Sequence, residues 1–291
     1  MKHLDALIVK PGEAARLDHR SPAWDGEPEL RGRPAAEEAL ASSVAALDHA
    51  QELLWASGRH ALLVVFQAMD AGGKDGTIRH VMSGINPSGV DVISFKQPSA
   101  EELRHDFLWR VGRALPARGR IAIFNRSHYE EVVAVRVHRE WLTRQGIDAD
   151  PDDERFWRGR FDSINDFEHH ASRSGTKIVK LFLHVSKDEQ RRRLLARLDE
   201  PDKEWKFSAA DLAEREHWDE YMAAFEAAIT ATSTRWAPWY VVPADRKPLM
   251  RALVAQVIVD AVDSLDLSWP VPSADERAAN ARARARLEIE A

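Results

Sequence analysis

The sequence predicts an α/β fold, with a mostly parallel sheet of about five strands covered by helices on both faces. Three observations carry that prediction. Short apolar runs rich in β-branched residues recur along the chain and alternate with stretches of helical periodicity. The first of these runs leads directly into a glycine-bearing turn and then a helix. The length of 291 residues, with 44% hydrophobic and 30% charged side chains, allows one large domain or two small ones around a buried core. Strands separated by helices imply βαβ units, whose right-handed crossovers cover both faces of the sheet.

Residues 1 to 34 are rich in Pro, Gly and charge and read as an arm, packed on the body or loosely joined to it. From Pro34 to Ser57, Leu40, Val44, Leu47, Leu53 and Leu54 recur at helical spacing with no later Pro or Gly, which predicts one long amphipathic helix. His60 to Phe66 (HALLVVF) suits a strand buried on both faces. A turn follows from Asp70 to Gly76, then a helix from Thr77. Val90 to Phe95 is a second strand. Ser99 to Leu115 reads as a helix, because Ser99 and Glu102 have the spacing of a capping box. Arg120 to Asn125 is a third strand. Helices are expected over Glu131 to Gln145 and Asp152 to Ser174, with a fourth strand at Lys177 to Val185. Lys187 to Leu198 is a basic helix, and Ser208 caps another that runs to about Thr230. Trp239 to Val242 is a fifth strand and Pro248 to Ser264 the last good helix. The tail, residues 269–291, ends in low-complexity Ala, Arg and Glu, which suits a helix with solvated faces or disorder.

Composition excludes several classes of function. With no cysteine there is no disulfide scaffold, Cys-ligated zinc, iron–sulfur cluster or thiol nucleophile. The longest apolar stretch, Ala61 to Phe66, is too short to span a bilayer, and Met1 to Lys10 shows no apolar signal region, so a cytoplasmic protein without a membrane partner is expected. A net charge of −6 argues against a nucleic-acid partner unless the cations are concentrated somewhere.

The segment FQAMDAGGKDGT, Phe66 to Thr77, lies between a strand and a helix, the setting a phosphate-binding loop requires. Glycines let backbone N–H groups converge on phosphate oxygens, the helix N-terminus favours negative charge, and Lys74 adds a compact cation. Against the pattern G-x-x-x-x-G-K-[ST], Gly73 and Lys74 fit, Ala68 replaces the first glycine and Asp75 replaces the hydroxyl. An ordinary tight turn with a surface lysine stays open from the turn alone. Asn125, Arg126, Ser127, His128, Tyr129 and Glu130 end the third strand, so Asp70, Lys74 and Arg126 are expected at one rim of the sheet. Arg126 suits phosphate because its planar fork binds bidentately, although a strand-end ion pair would also explain it. His128 and Tyr129 read as packing or positioning residues. Lys187, Arg191, Arg192, Arg193, Arg197, Lys203 and Lys206 form a basic stretch in which Lys187 and Arg191 share one face and Arg193 and Arg197 another. That stretch is either a solvated helix face or a cover over a phosphate site.

Four segments resemble the polyphosphate kinase type 2 family, in family order: LLVVFQAMDAGGKDGTIRHV, GINPSGVDVISFKQPSAEELRHDFLWR, RIAIFNRSHYEEVVAVRVH and EPDKEWKFS. The resemblance runs over roughly residues 35 to 265. It implies a three-layer α/β/α P-loop kinase-like fold over residues 35–268 with a helical lid at about 187–215. It also implies Mg²⁺-dependent, reversible phosphoryl transfer between inorganic polyphosphate and AMP, ADP or ATP, with guanine nucleotides a further option, in a homo-oligomer (dimer or tetramer). Carried onto this chain, Asp70 would hold Mg²⁺ and orient the accepting phosphate. Lys74 and Arg126 would bind phosphates in the transition state. Ala71, Gly72, Gly73, Asp75, Gly76, Thr77, Asn125 and Glu130 would line the phosphate and nucleotide site. Arg79, Lys96, Lys187, Arg191, Lys203 and Lys206 would belong to the lid and the polyphosphate path. Many members have Asp where this chain has Asn125, a weaker metal ligand, and the NRSHYE form with Glu130 looks like the subgroup that uses nucleoside monophosphates as well as diphosphates. The alternatives are an ATP-dependent nucleotide or small-molecule kinase and a non-catalytic nucleotide- or RNA-binding module.

Overall fold

Strand β2 (Ala61–Gln67) is buried along its whole length and takes the centre of a six-stranded sheet, because Ala61 to Phe66 are apolar on both faces and the Gln67 amide donates to Ser127 Oγ at 3.2 Å. The computed structural model describes residues 2–201 and 207–290. In chain order these are α1 (Lys2–Asp5), β1 (Ile8–Val9), α2 (Arg33–Ser57), β2, α3 (Lys74–Val81), β3 (Val90–Ser94), α4 (Trp109–Arg113), β4 (Ile121–Asn125), α5 (Ala134–Val137), α6 (Trp141–Arg144), α7 (Glu154–Arg173), β5 (Thr176–His184), α8 (Lys187–Asp199), α9 (Ala209–Glu216), α10 (Trp218–Thr232), β6 (Trp239–Pro243), α11 (Lys247–Asp263) and α12 (Ala274–Ile289).

The strand order is β1-β6-β5-β2-β4-β3, with β2 to β6 parallel and β1 antiparallel to β6. Helices α2, α3 and α11 pack together on one face and α5, α7 and α10 on the other, which makes the three layers. Helix α11 is apolar on nearly every side, because it lies between α2 and strands β5 and β6. The connection from β2 leads to the far edge at β3, while β5 lies on the other side of β2. The sheet's topological switch point therefore falls at the carboxyl end of β2, where open α/β sheets bind ligands.

Four expectations change. The sheet has six strands, and the additional one lies in the N-terminal arm, where Ile8 pairs with Tyr240 and Val9 with Trp239. Two residues are too few to display a period, but the arm is anchored by buried Leu4, Leu7, Val9, Leu17 and Leu30. The helix predicted from Ser99 to Leu115 starts and then stops. The capping box forms, with Ser99 N–H donating to Glu102 Oε2 at 2.7 Å and Glu102 N–H to Ser99 Oγ at 3.2 Å. One 3₁₀ turn follows (Glu102–Arg104), His105 is extended, and Asp106 Oδ1 accepts from the Leu108 N–H, so helix resumes only at α4. The stretch from Glu131 to Gln145 breaks into a 3₁₀ turn, α5 and α6, as expected where Val132, Val133, Val135 and Val137 crowd χ1. The helix capped by Ser208 leaves α geometry at His217 (φ −86°, ψ 21°) and continues as α10. The tail is a capped helix, α12, exposed throughout. No described helix is long and apolar enough to cross a membrane.

Behind the sheet, Lys180 on β5 is fully buried and donates to Glu168 Oε2 (2.6 Å), Tyr129 Oη (2.9 Å) and the Thr232 carbonyl (2.7 Å). Tyr129 donates to Glu168 Oε1 at 2.9 Å, and His128 Nε2 lies 3.3 Å from the same oxygen. Removing one member leaves an uncompensated buried charge, so Lys180→Met is expected to lower stability by about 3–5 kcal/mol. Urea unfolding monitored by tryptophan fluorescence checks this; a loss below about 1 kcal/mol, the level of a surface pair, would contradict it.

Candidate active site

The turn between β2 and α3 is built by close backbone approach. Gly72 N–H donates to the Met69 carbonyl at 3.0 Å, and a Cβ on Gly72 would lie 2.7 Å from Ala68 Cβ and 2.8 Å from Met69 O. Gly73 has φ +105°, a conformation that a side chain disfavours, and the neighbouring Ala71 adopts φ +57° despite its methyl group. Lys74 begins α3 and is buried, with Nζ donating to the Ala68 carbonyl at 2.8 Å and lying 3.4 Å from that of Met69. Burial, reinforced by Arg126, lowers the Lys74 pKa below the ordinary lysine range, while Asp70 and Glu130 oppose the shift.

Arg126 follows β4 with φ +62° and its N–H donates to the Phe66 carbonyl at 3.1 Å, which turns its side chain back across the end of β2. Its Nη2 meets Asp70 Oδ1 at 2.7 Å, and its Nη1 lies 4.0 Å from Glu130. Glu130 first, and also Asp70, raise the Arg126 pKa against the effect of burial. Burial pushes the Glu130 carboxyl up, against the opposing cations Arg126 and Lys74. Asp70, Lys74, Arg126 and Glu130 thus form one coupled cluster. Asn125 donates from Nδ2 to Asp75 Oδ1 at 2.6 Å. A carboxylate at position 125 would face Asp75 without a proton to share, so the amide suits this neighbour.

Two cavities meet at that cluster. The larger, about 1110 Å³, is lined by the turn from Asp70 to Gly76, by Asn125, Arg192, Arg193, Arg197, Lys247 and Arg251, and by the carboxylates Glu189 and Glu200, of which Glu189 pairs with Arg192 and Arg193. The smaller, about 320 Å³, has aromatic and apolar walls including Phe95, Leu103, Trp141, Tyr221 and Phe225, with Glu130, Glu131, Asp211 and Glu214 among its polar groups. Asp70, Phe95, Lys96, Gln97 and Arg126 line both. Helix α9 forms part of the smaller cavity's wall. It is seated there by the ion pair of Arg197 with Asp211 (2.9 Å) and by His138 Nε2 beside Glu214 Oε2 (2.8 Å).

The predicted residues divide by placement. The structure brings together Asp70, Ala71, Gly72, Gly73, Lys74, Asp75, Gly76, Lys96, Asn125, Arg126 and Glu130. Thr77, Arg79, Lys187 and Arg191 are not in either wall. Thr77 is fully buried, with its hydroxyl donating to the Gly73 carbonyl at 2.9 Å, and so does not replace the hydroxyl missing at Asp75. Arg79 is exposed on α3. Lys187 and Arg191 are exposed on the far side of α8, because Gln190, Arg193 and Leu194 are the buried positions. Lys203 and Lys206 lie outside the described residues. Arg192, Lys247 and Arg251 line the larger cavity without having been singled out as site residues. The signal available for the last two was i, i+4 spacing at the start of a helix that directly follows a strand end.

Comparison with known proteins agrees with this architecture. The model of the family described as polyphosphate kinase 2 matches residues 32–268. An ADP-polyphosphate phosphotransferase of Rhodopseudomonas palustris is 52% identical over 260 residues, covering 89% of this chain and 90% of the relative. An AMP/ADP-polyphosphate phosphotransferase of Meiothermus ruber is 50% identical over 241 residues, covering 83% and 86%. The crystal structure of polyphosphate kinase 2 from Arthrobacter aurescens TC1 superimposes with a TM-score of 0.86 at 41% identity, over 99% of this chain and 96% of that one. With a family match that covers strands β2 to β6 and relatives 50% or more identical over most of the chain, the chain belongs to the polyphosphate kinase 2 family.

Proposed function

We propose that this chain moves a phosphoryl group between inorganic polyphosphate and a nucleoside mono- or diphosphate, at the junction of the two cavities. The observation that supports it is their contrast. The larger cavity is a cationic groove around the glycine turn, suited to an extended polyanion. The smaller is an aromatic-walled pocket suited to a nucleoside, opening on the same Asp70 and Arg126. An ATP-dependent kinase of another small molecule has no need of so large a basic groove, and a binding module has no need of the coupled Asp70–Arg126–Lys74 cluster.

The chemistry is balanced at this junction. One phosphoanhydride P–O bond of the polyphosphate breaks as another forms on the acceptor's terminal phosphate oxygen, so the reaction is expected to run in both directions. The attacking oxygen is already anionic at neutral pH, and no general base is needed. What the protein supplies is alignment and neutralisation of the equatorial oxygens. Arg126, held by Asp70, presents its fork to the transferring group. Lys74 uses two of its three hydrogens on the Ala68 and Met69 carbonyls and offers the third from beneath the turn.

Magnesium fits this donor set in a limited way. Among the described residues no group of three or more His, Cys, Asp or Glu converges to cage a metal. Mg²⁺ is commonly held by one or two carboxylates together with substrate phosphates, and Asp70 offers such an anchor. When bound there, the ion would neutralise phosphate charge.

The test is an assay without ATP: polyphosphate with AMP, ADP, GMP or GDP, and separation of the products. Phosphorylated nucleotide is the expected result, and no transfer to any acceptor would overturn the reading. The same assay decides between mono- and diphosphates, which the names of the two relatives leave apart, and between adenine and guanine. A further expectation follows from the basic groove. Polyphosphate affinity should fall steeply with salt, in the manner of counterion release from a polyanion, while nucleotide affinity falls less. Equal log–log slopes in titrations from about 50 to 200 mM salt would argue against an extended cationic track.

A further inference from the structure

The glycine turn is held from outside by helix α8. Gln190, 1% exposed, donates from Nε2 to the Asp70 carbonyl at 2.9 Å. Arg193, 7% exposed, donates from Nη1 to the carbonyls of Ala71 (3.2 Å) and Gly72 (2.9 Å), and its Nη2 reaches Ala244 at the end of β6. Because each peptide is planar, fixing these carbonyls toward α8 turns the N–H groups of Ala71 and Gly73 the opposite way. That accounts for Ala71 remaining at φ +57°, where an alanine would not stay without such restraint.

Gln190 has a second partner. Its Oε1 accepts from Arg215 Nη1 at 2.7 Å, and the same Nη1 donates to the Lys187 carbonyl at 2.8 Å. Arg215 belongs to α9, the helix that walls the smaller cavity. The amide can face only one way, since a guanidinium only donates and a carbonyl only accepts. The result is a directed chain from Arg215 through Gln190 to the Asp70 carbonyl, in a setting where successive hydrogen bonds strengthen one another.

We propose that Gln190 is a positioning residue that makes the geometry of Asp70 and the glycine turn depend on α9 being seated, with Arg215 as the contact that reports the seating. Naming the step that this slows rests on the phosphoryl-transfer reading above; the hydrogen-bond chain does not.

Three variants and two readouts test it. Gln190→Glu keeps an acceptor for Arg215 but sets a carboxylate oxygen against the Asp70 carbonyl. Arg215→Met removes the donor while retaining bulk beside Trp218, whose ring centroid lies 6.0 Å from the guanidinium. Each is expected to lower kcat roughly 10- to 100-fold, as for a small misplacement of reacting groups, with KM for the nucleotide changed little. Since both residues act through one chain, Arg215→Met combined with the uncharged Gln190→Met should lose no more than the worse of those two single variants. The second readout needs no activity: amide hydrogen exchange across residues 66–78 should accelerate in Arg215→Met, although the side-chain partners of Arg215 among the described residues, Gln190, Lys187 and Trp218, all lie outside the turn. Single losses that multiply, or turn exchange unchanged in Arg215→Met, would overturn the proposal. Should Gln190→Glu fail to fold, the exchange measurement on Arg215→Met decides alone. A wild-type protein inactive with polyphosphate would overturn the functional reading, and the exchange measurement would still decide the relay.

Discussion

Lys74→Met is expected to reduce turnover with polyphosphate and nucleotide by on the order of 10³-fold, about 4 kcal/mol of transition-state stabilisation. Lys74 is the cation that the turn itself carries, enclosed beneath its backbone and bonded to the Ala68 carbonyl. Methionine fills the same volume without charge, so the fold is expected to persist and the loss to appear in kcat. Lys74→Arg should not restore activity, because the broad guanidinium cannot occupy a space shaped for a compact ammonium. Initial rates together with thermal melting check this. Activity within about tenfold of wild type would remove Lys74 from the group that touches the transferring phosphate.

The second large effect is expected at Asp70. Asp70→Asn preserves shape but removes the charge that holds Arg126 at 2.7 Å and that would anchor Mg²⁺. Losing one charge-assisted contact and a metal anchor together should lower kcat by roughly 10²–10³-fold. It should also raise the Mg²⁺ concentration needed for half-maximal rate. Stability should change little, because the Arg126–Asp70 pair is partly exposed, with side-chain exposures of 43% and 25%, and such pairs contribute about 1 kcal/mol or less. Asp70→Ala serves as the more severe comparison. A variant that retains its rate and its Mg²⁺ dependence would show that Asp70 neither orients the acceptor nor holds the ion.

Much of the fold was legible because its signals are local. Leu62 to Phe66 and Ile121 to Phe124 are apolar runs, and Ile178 to Leu183 is apolar apart from Lys180; only a doubly covered sheet can bury them, and each lies within a strand. Ser208, expected as a cap, marks the true start of α9 and its side chain accepts from the Ala210 N–H. Where these signals failed, a competing local bond or a tertiary contact won. The Ser99 box formed but did not propagate, since Asp106 captured the Leu108 N–H and the segment folded over the smaller cavity. Strand β1 was invisible because two residues have no period, and it exists only because β6 offers an open edge.

The site shows the same division. By itself the sequence determined a glycine turn that ends in Lys74, because a buried strand, glycines that tolerate close approach and a helix start lie within twelve residues, and it set Arg126 at the same rim through the order of strands and helices. Which cations line the larger cavity was decided only in three dimensions. Lys187, Arg191, Arg193 and Arg197 look alike in the basic stretch, yet a helix turns about 100° per residue, so its orientation about its own axis selects among them. Burial of Gln190 and Leu194 sets that orientation, turns Arg193 onto the glycine turn and places Arg197 in the wall of the larger cavity, while Lys187 and Arg191 meet solvent. The smaller cavity is likewise a tertiary product. Phe95, Trp141 and Tyr221 are far apart along the chain and meet because β3, α6 and α10 converge at one rim of the sheet.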